Sequence, residues 1–397
     1  MKKVCIVRQK YYPTQRNLRR NAETLSKAGY KVDVICLGGK GQKKRESING
    51  VNVHRIIMSY HRGKIFWYLF EYVTFFIRSA LKLTLLYSKE RYDVIEVHTM
   101  PDFLVFITLI PKLLGCKVIL FMFENTPGLF ISSFNTSPNH IIAKILRVIE
   151  KISASYADYV LVSDGFPYKE VLESRGIPSE KITVILNVPD DVIFDPKSVP
   201  ANRNREEHFR LIIVSTLVER YGVQTLVKAV PLLVKEIPNL IVDVLGEGEY
   251  RPYLEKIGLD LGVTKYLNFT GFVRYEDVPS YIARAHIGIA PMIADVGAPN
   301  KIFEYFAMGK PSVASAQPGL TRVFNNGCVL YFEAGNEKEL AARILELYHS
   351  PEKRDCLGSR GQAIHEEYRW SVLKLKYLNT YNIVMGEKHN GNRSPKT

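Results

Sequence analysis

The stretch "NVPDDVIFDPKSVPANRNREEHFRLIIVST" at residues 187–216 decides how the rest of the chain reads. Its first two thirds hold three prolines, scattered charges and no periodicity that a helix or strand could use; a short apolar run then follows. That break separates two stretches of the same pattern. Upstream, "KVCIVR" (3–8), "KVDVICL" (31–37), "DVIEVH" (93–98), "KVILFMF" (117–123), "DYVLVS" (158–163) and "KITVIL" (181–186) are short runs with continuous Val and Ile content. Such runs suit strands buried on both faces of a parallel sheet. Between them lie helical stretches such as 14–28, with Leu18, Ala22, Leu25 and Ala28 on one face. Downstream the alternation restarts with "RLIIVST" (210–216), "LIVDVLG" (240–246), "LNFTGF" (267–272), "HIGIAP" (286–291) and "PSVAS" (311–315). The expected fold class is α/β: two doubly wound, Rossmann-like parallel-sheet domains facing across a cleft. The expected boundaries are 1–187 for the first domain, 188–208 for the linker and 209–368 for the second. A C-terminal helix at 369–388 is expected to pack back on the first domain, and 389–397 reads as a disordered tail.

Composition supports a globular enzyme, with 46% hydrophobic and 24% charged residues in 397. The five cysteines have no CxxC spacing and read as reduced core thiols, so the sequence predicts no metal site and a cytoplasmic chain. The apolar run at the N-terminus is too short for a signal peptide.

Charge is concentrated at one end. Residues 1–91 hold 20 Lys and Arg against 5 Asp and Glu, while the rest of the chain is nearly balanced at 34 against 35. The basic quarter suits a solvated face, nucleic acid, an anionic membrane surface or an anionic substrate. The neighbouring stretch "IFWYLFEYVTFFIRSALKLTLLY" (65–87) is interrupted by Glu71, Arg78 and Lys82, so it lacks the ~20 uncharged residues of a spanning helix. Those charges fall within about 40° on a helical wheel. The helix is therefore either a core helix with one wet stripe or an interfacial helix lying on lipid. No nucleic-acid motif is present, and "KGQKKR" (40–45) reads as a loop.

Ligands of open parallel sheets bind at the carboxyl ends of strands. In the second half these ends carry "STLVERYG", "GEGEY", "TGFVR" and "PMIADVGAPNK". No GxxxxGK[ST] occurs, so this is not a P-loop. "NKIFEYFAMGKPSVAS" (300–315) reads as a short helix entered through Pro299, capped by Asn300 and stopped by glycine. Its free N–H groups suit a pyrophosphate, Lys301 adds a charge, and Glu304 one turn on can accept two hydrogen bonds from a vicinal diol such as ribose.

With these residues in view, the chain resembles the retaining, sugar-nucleotide-dependent glycosyltransferases of family 4, of the GT-B type. The resemblance runs through "APNKIFEYFAMGKPSVAS", "STLVERYGVQTLVKA", "IPNLIVDVLGEGEY" and "LNFTGFVRYEDVPSYIARAHIGIAP", and on the acceptor side through "YYPTQRNLRRNAETLSKAGYKVDVICL" and "YDVIEVHTMPDFLVFITLIPKLLGCKVIL". It implies that Glu304 binds the ribose, that Lys301 and Arg220 face the diphosphate, and that backbone near Val273 holds the base. Asn300, Ile302, Thr216, Gly246 and Gly248 complete the expected donor-nucleotide set. The chain departs from the family pattern at Val296, where many relatives have a second glutamate, and at Phe123, where a histidine is common. A basic pair of relatives falls here on Thr216 and Tyr221.

On the acceptor side His98 and Glu124 end successive strands and are candidate catalytic groups with Arg220; Arg16, in the loop before the first helix, is a candidate for an acceptor phosphate. The implied reaction moves a sugar from a nucleoside diphosphate sugar to a hydroxyl of a lipid-linked or soluble glycan, with retention, no cofactor and no metal. The implied location is the inner face of the plasma membrane, bound peripherally through aromatics among Phe66, Trp67, Phe70 and Phe75. A non-catalytic scaffold of the same fold and a sugar-nucleotide epimerase remain open alternatives.

Overall fold

In the computed structural model the chain is described over residues 1–58, 65–134, 136–163, 165–199, 207–294, 300–325 and 327–387, the side chains of 65–69 and 166 excepted. It divides into two compact units. One consists of Met1–Asp164, Tyr168–Leu186 and Lys374–Thr397, the other of Gly165–Pro167 and Asn187–Leu373. Val296 and Pro299, which carried part of the sequence reading, lie outside the described residues, as does the tail from 388 on.

The first unit is built on an eight-stranded sheet in the order β3-β4-β2-β1-β5-β6-β7-β8. Its strands are β1 (Lys3–Tyr11), β2 (Lys31–Gly38), β3 (Arg45–Ile48), β4 (Val51–Ile57), β5 (Val94–His98), β6 (Lys117–Met122), β7 (Tyr159–Val162) and β8 (Ile182–Val184). All neighbours pair in parallel except β3, which runs antiparallel to β4. That edge hairpin turns at Asn49 and Gly50, both with positive φ (51° and 78°). An Asn-Gly pair adopts such a turn at low cost, and its twist matches the strands on either side. The sequence reading named neither strand of this hairpin.

The second unit has six parallel strands in the order β11-β10-β9-β12-β13-β14. They are β9 (Phe209–Val214), β10 (Leu240–Leu245), β11 (Leu267–Gly271), β12 (Ile287–Ala290), β13 (Ser312–Ser315) and β14 (Val329–Phe332). Leu211, Ile213, Val242, Val244, Ile287 and Ile289 are fully buried, as continuous apolar strands in a doubly covered sheet should be. Strand order reverses between β1 and β5 in the first unit and between β9 and β12 in the second. Loops leaving such strands at their carboxyl ends diverge, and ligands of open parallel sheets generally bind in the crevice that results.

The long helix Ile65–Glu90 corrects one expectation. Of its three charges Arg78 is exposed and Lys82 half-buried, but Glu71 is buried. Beside them Phe70, Val73, Ile77, Leu81 and Leu85, spaced three or four apart, are exposed. Phe75, expected among the exposed aromatics, is fully buried. Phe66 and Trp67 have side chains outside the described residues. Among the described residues no helix is long and apolar enough to cross a membrane.

Candidate active site

In the second unit the crevice is shaped by glycines that let backbones touch. A Cβ on Gly246 (φ +127°) would lie 1.9 Å from the Ser215 carbonyl oxygen, and one on Gly248 would lie 2.1 Å from that of Leu217. The loop after β9 therefore lies directly against the loop after β10. Leu217 N–H donates to the Glu247 carbonyl (2.9 Å) and Tyr250 N–H to the Leu217 carbonyl (3.0 Å). Gly222 does the same work further along the loop: at φ +71°, a Cβ there would sit 1.7 Å from the Pro291 carbonyl oxygen. Only glycine fits these three approaches.

The helix after β12, Asn300–Ala307, is pinned to the sheet by Tyr305. Its ring fills the space that a side chain at Gly288 would occupy, and its buried hydroxyl donates toward the Ile289 carbonyl (3.2 Å) and accepts from Val214 N–H (3.2 Å). This anchoring fixes the first turn of the helix at the carboxyl ends of β9 and β12. Lys301 is 8% exposed there, and its Nζ donates to Ser215 Oγ at 3.1 Å. Burial pushes the Lys301 ammonium down to about 8, although the neighbouring Glu304 carboxylate acts in the opposite direction. Glu304 is itself buried, at 6% exposure.

Two cations converge on one ring. Lys301 Nζ lies 5.3 Å and the Arg220 guanidinium carbon 5.1 Å from the centre of Tyr221. The aromatic face holds both by cation–π attraction, which gathers two positive charges on one ring. Of the expected donor set, the structure thus brings Lys301, Arg220 and Glu304 to the rim together with Gly246 and Gly248. Thr216 is exposed on the same loop, Asn300 opens the helix, and Val273 follows β11 in a half-buried position. Ile302 is different: its side chain is fully buried, leaving only its backbone N–H to face a ligand. Sequence reasoning missed Ser215, Tyr221 and Tyr305. Only Tyr305 left a usable sign, a bulky residue opposite the glycine of "HIGIA".

The first unit places a different chemistry at the β1/β5 switch. Glu124 is exposed just past β6. Arg8, on β1, is 5% exposed, stacks 4.0 Å from the centre of the Phe123 ring, and is drawn electrostatically toward Glu124 and Glu96. Burial lowers the Arg8 guanidinium to about 10, with the two carboxylates resisting. His98 does not face solvent as expected. It is fully buried, hydrogen-bonded through Nε2 to Glu96, with Nδ1 3.5 Å from Arg8 and its ring against Phe121 and Phe123. Burial lowers its pKa. Glu96 in turn accepts from Tyr377 (2.9 Å) and Tyr381 (2.7 Å) on the helix Trp370–Val384. His98 therefore lies beneath Arg8 and is closed off from the rim. Arg16 is exposed and is the first residue of the helix Arg16–Lys27 rather than part of a preceding loop. Among the described residues, no three His, Cys, Asp or Glu side chains gather as metal ligands would.

Comparison with known proteins follows this geometry. The family described as "Glycosyl transferase 4-like domain" matches residues 14–187, and "Glycosyl transferases group 1" matches 208–350. The chain belongs to these glycosyltransferases. An uncharacterised glycosyltransferase of Methanocaldococcus jannaschii is 24% identical to this glycosyltransferase, over 92% of each chain. A GDP-mannose-dependent monoacylated alpha-(1-6)-phosphatidylinositol monomannoside mannosyltransferase of Corynebacterium glutamicum is 26% identical over 42% of this chain and 45% of its own. Among solved structures, sucrose-phosphate synthase from Thermosynechococcus elongatus superposes with a TM-score of 0.78 at 17% identity, covering 97% of this chain and all of the other. Anabaena HepE, solved with UDP, gives a TM-score of 0.73 at 15% identity over 96% of this chain and all of the other. The fold of the glycosyltransferase is GT-B.

Proposed function

We propose that this glycosyltransferase moves a sugar, with retention, from a nucleoside diphosphate sugar to a hydroxyl of a lipid-linked glycan. The observation that carries the donor half is the pair of cations on Tyr221. A leaving diphosphate gains negative charge as the glycosidic bond breaks, and Lys301 and Arg220, already fixed, stabilise that charge without reorganising. Glu304 takes the ribose diol, and backbone near Val273 takes the base. The departing phosphate oxygen removes the acceptor proton on the face it leaves, so no protein nucleophile is needed and the protein contributes chiefly by positioning. Neither metal nor cofactor takes part in this scheme.

In the first unit, Glu124 and Arg8 orient the acceptor, with His98 beneath them. Two features support a lipid-linked acceptor. The long helix exposes an apolar stripe, and the first 91 residues carry the whole excess of positive charge. Together they suit peripheral docking on an anionic bilayer. The Corynebacterium relative, a phosphatidylinositol monomannoside mannosyltransferase, supports the same direction. Product analysis with a panel of UDP-, GDP- and ADP-sugars and short-chain polyprenyl-phosphate acceptors tests the reading. Transfer with retained anomeric configuration is the expected result. Conversion of the sugar nucleotide without an acceptor would favour an epimerase, and no turnover with any donor would favour a scaffold.

A further inference from the structure

The edge hairpin and the long helix border a second polar site, an open depression whose Lys44, Arg45 and Arg78 are exposed. A cavity of about 600 Å³ opens where the carboxyl end of β4 meets the middle of the helix Ile65–Glu90. Its polar lining is Lys44, Arg45, Arg55, Arg78 and Lys82, five cations with no acidic residue among them. Arg78 spends one guanidinium N–H on the Ile57 carbonyl (3.0 Å), and Arg55 ion-pairs with Glu46, which lines the adjoining cavity instead. The Arg55 Nε is buried without a hydrogen-bond partner among the described residues.

Lys44, Arg45 and Lys82 make no ion pair with any described carboxylate. Crowding tells in Lys82, whose pKa is lowered by burial and then by Arg45 and Lys89. Like charges gathered in a concave site repel one another, and an anion inside the cavity converts that repulsion into attraction. The guanidinium forks of Arg45 and Arg78 match tetrahedral oxyanions, while Lys44 and Lys82 supply point charges. Arg55 already donates to the Lys43 and Tyr12 carbonyls (both 3.1 Å) and is paired with Glu46, so it adds only its charge from a fixed position.

We propose that this cavity is a binding site for a phosphate-bearing ligand, separate from the donor-nucleotide site of the second unit. A phosphate group with two or more charges fits the five-cation lining. Two sources share this chemistry, the headgroup of an anionic lipid and a soluble phosphorylated molecule. The exposed residues Ile77 and Leu81 border Arg78 and Lys82 on the helix, so a headgroup could enter with its chains along the apolar stripe.

Calorimetry with inorganic pyrophosphate tests the site in a Lys301→Met background, which removes a charge assigned to the donor site. The expected result is binding that survives Lys301→Met and weakens by about tenfold or more when Arg45→Gln and Lys82→Gln are added, since charge-assisted hydrogen bonds are lost. A control with Lys27→Gln and Lys117→Gln, equal in charge removed from the same unit, keeps the affinity. Both pairs include surface groups, and circular dichroism confirms that each variant is folded. As a readout independent of substitution, pyrophosphate should protect Lys44 and Lys82 from an amine-reactive label while leaving Lys27 labelled.

Absence of binding in the Lys301→Met protein, or equal loss in the control, overturns the proposal. Vesicles of phosphatidylcholine with and without phosphatidic acid separate the sources. If Arg45→Gln with Lys82→Gln also abolishes the phosphatidic-acid-dependent recovery, the headgroup is the ligand. If recovery is unchanged while pyrophosphate binding is lost, the site stands and its ligand is soluble. Loss of neither overturns it. The donor-site reading is unaffected by any of these outcomes.

Discussion

Lys301 Nζ donates to Ser215 Oγ at 3.1 Å, so the buried ammonium rests on a hydroxyl at the end of β9. That partner satisfies a proton without neutralising the charge, and burial therefore brings Lys301 to about 8. A diphosphate that binds only the ammonium form should have a constant affinity below pH 8 and lose about tenfold per pH unit above it. Fluorescence titration of a nucleoside diphosphate from pH 6.5 to 9.5 would show the break, and Lys301→Met should bind more weakly with no break. Folding has the opposite sign. The folded value lies below the unfolded one of about 10.4, so between them the unfolded chain binds more protons and this group's contribution to stability rises with pH.

Glu304→Ala should weaken nucleotide binding by about 10- to 100-fold, the loss expected for two hydrogen bonds to a carboxylate. The nucleoside diphosphate should lose more affinity than inorganic pyrophosphate, because only the former carries a ribose. Equal loss for both ligands would move Glu304 from the diol to the electrostatics of Lys301. The melting temperature should fall as well, since the buried Lys301 ammonium loses a nearby opposite charge, so the comparison of the two ligands is what isolates the ribose role.

Arg220→Ala should act mainly on kcat, lowering it by about a hundredfold, because the leaving group is most negative in the transition state. Arg220→Lys should recover only part of this, since a lysine lacks the planar group that lies over Tyr221. A normal kcat with a raised KM would assign Arg220 to ground-state binding. Turnover should also persist in EDTA; loss restored by Mg²⁺ or Mn²⁺ would overturn the metal-free scheme.

Gly288→Ala should destabilise the second unit by about 1–3 kcal/mol, because the new methyl carbon would lie 2.3 Å from the Tyr305 ring. The displaced helix would carry Lys301 and Glu304 with it, so nucleotide affinity should fall along with the melting temperature. Thermal unfolding with and without nucleotide separates the two effects.

The strands with continuous Val and Ile could be read from sequence because burial on both faces leaves a pattern that needs no partner to recognise. The turn at Asn49-Gly50 is equally visible, but the charged run before it, "KGQKKR", reads as a loop and masks the short strands β3 and β4 on either side of the turn. Glu304 and Lys301 could be found because a carboxylate and an ammonium are conspicuous among Ile302, Phe303 and Phe306. Tyr221 could not, since its role depends on Lys301, eighty residues later on the helix Asn300–Ala307, meeting the ring beside the adjacent Arg220. The burial of His98 was hidden for a similar reason: a strand end looks exposed until the tyrosines of a helix almost 280 residues later close over Glu96. For the helix Ile65–Glu90 periodicity gives the angle between side chains but not which arc meets the sheet, so the burial of Glu71 and Phe75 is not legible in the sequence.

That helix supports the last prediction. Phe70, Val73, Ile77, Leu81 and Leu85 are 45–64% exposed and occupy one arc. Contiguous apolar surface of this kind is unfavourable in water and marks a site of association. If the partner is an anionic bilayer, sedimentation with vesicles should increase with anionic lipid and fall with salt, as exposed charges are screened over roughly 8 Å at physiological ionic strength. Ile77→Ser with Leu81→Ser should reduce recovery at low salt while leaving the melting temperature unchanged or higher, because both side chains already face solvent. Salt dependence should persist in the variant, since its cations are intact. A variant that sediments as well as the parent, or a parent recovered equally on neutral vesicles, would show that the stripe does not enter lipid. A concentration-dependent dimer lost in the same variant would assign the stripe to a second copy of the chain.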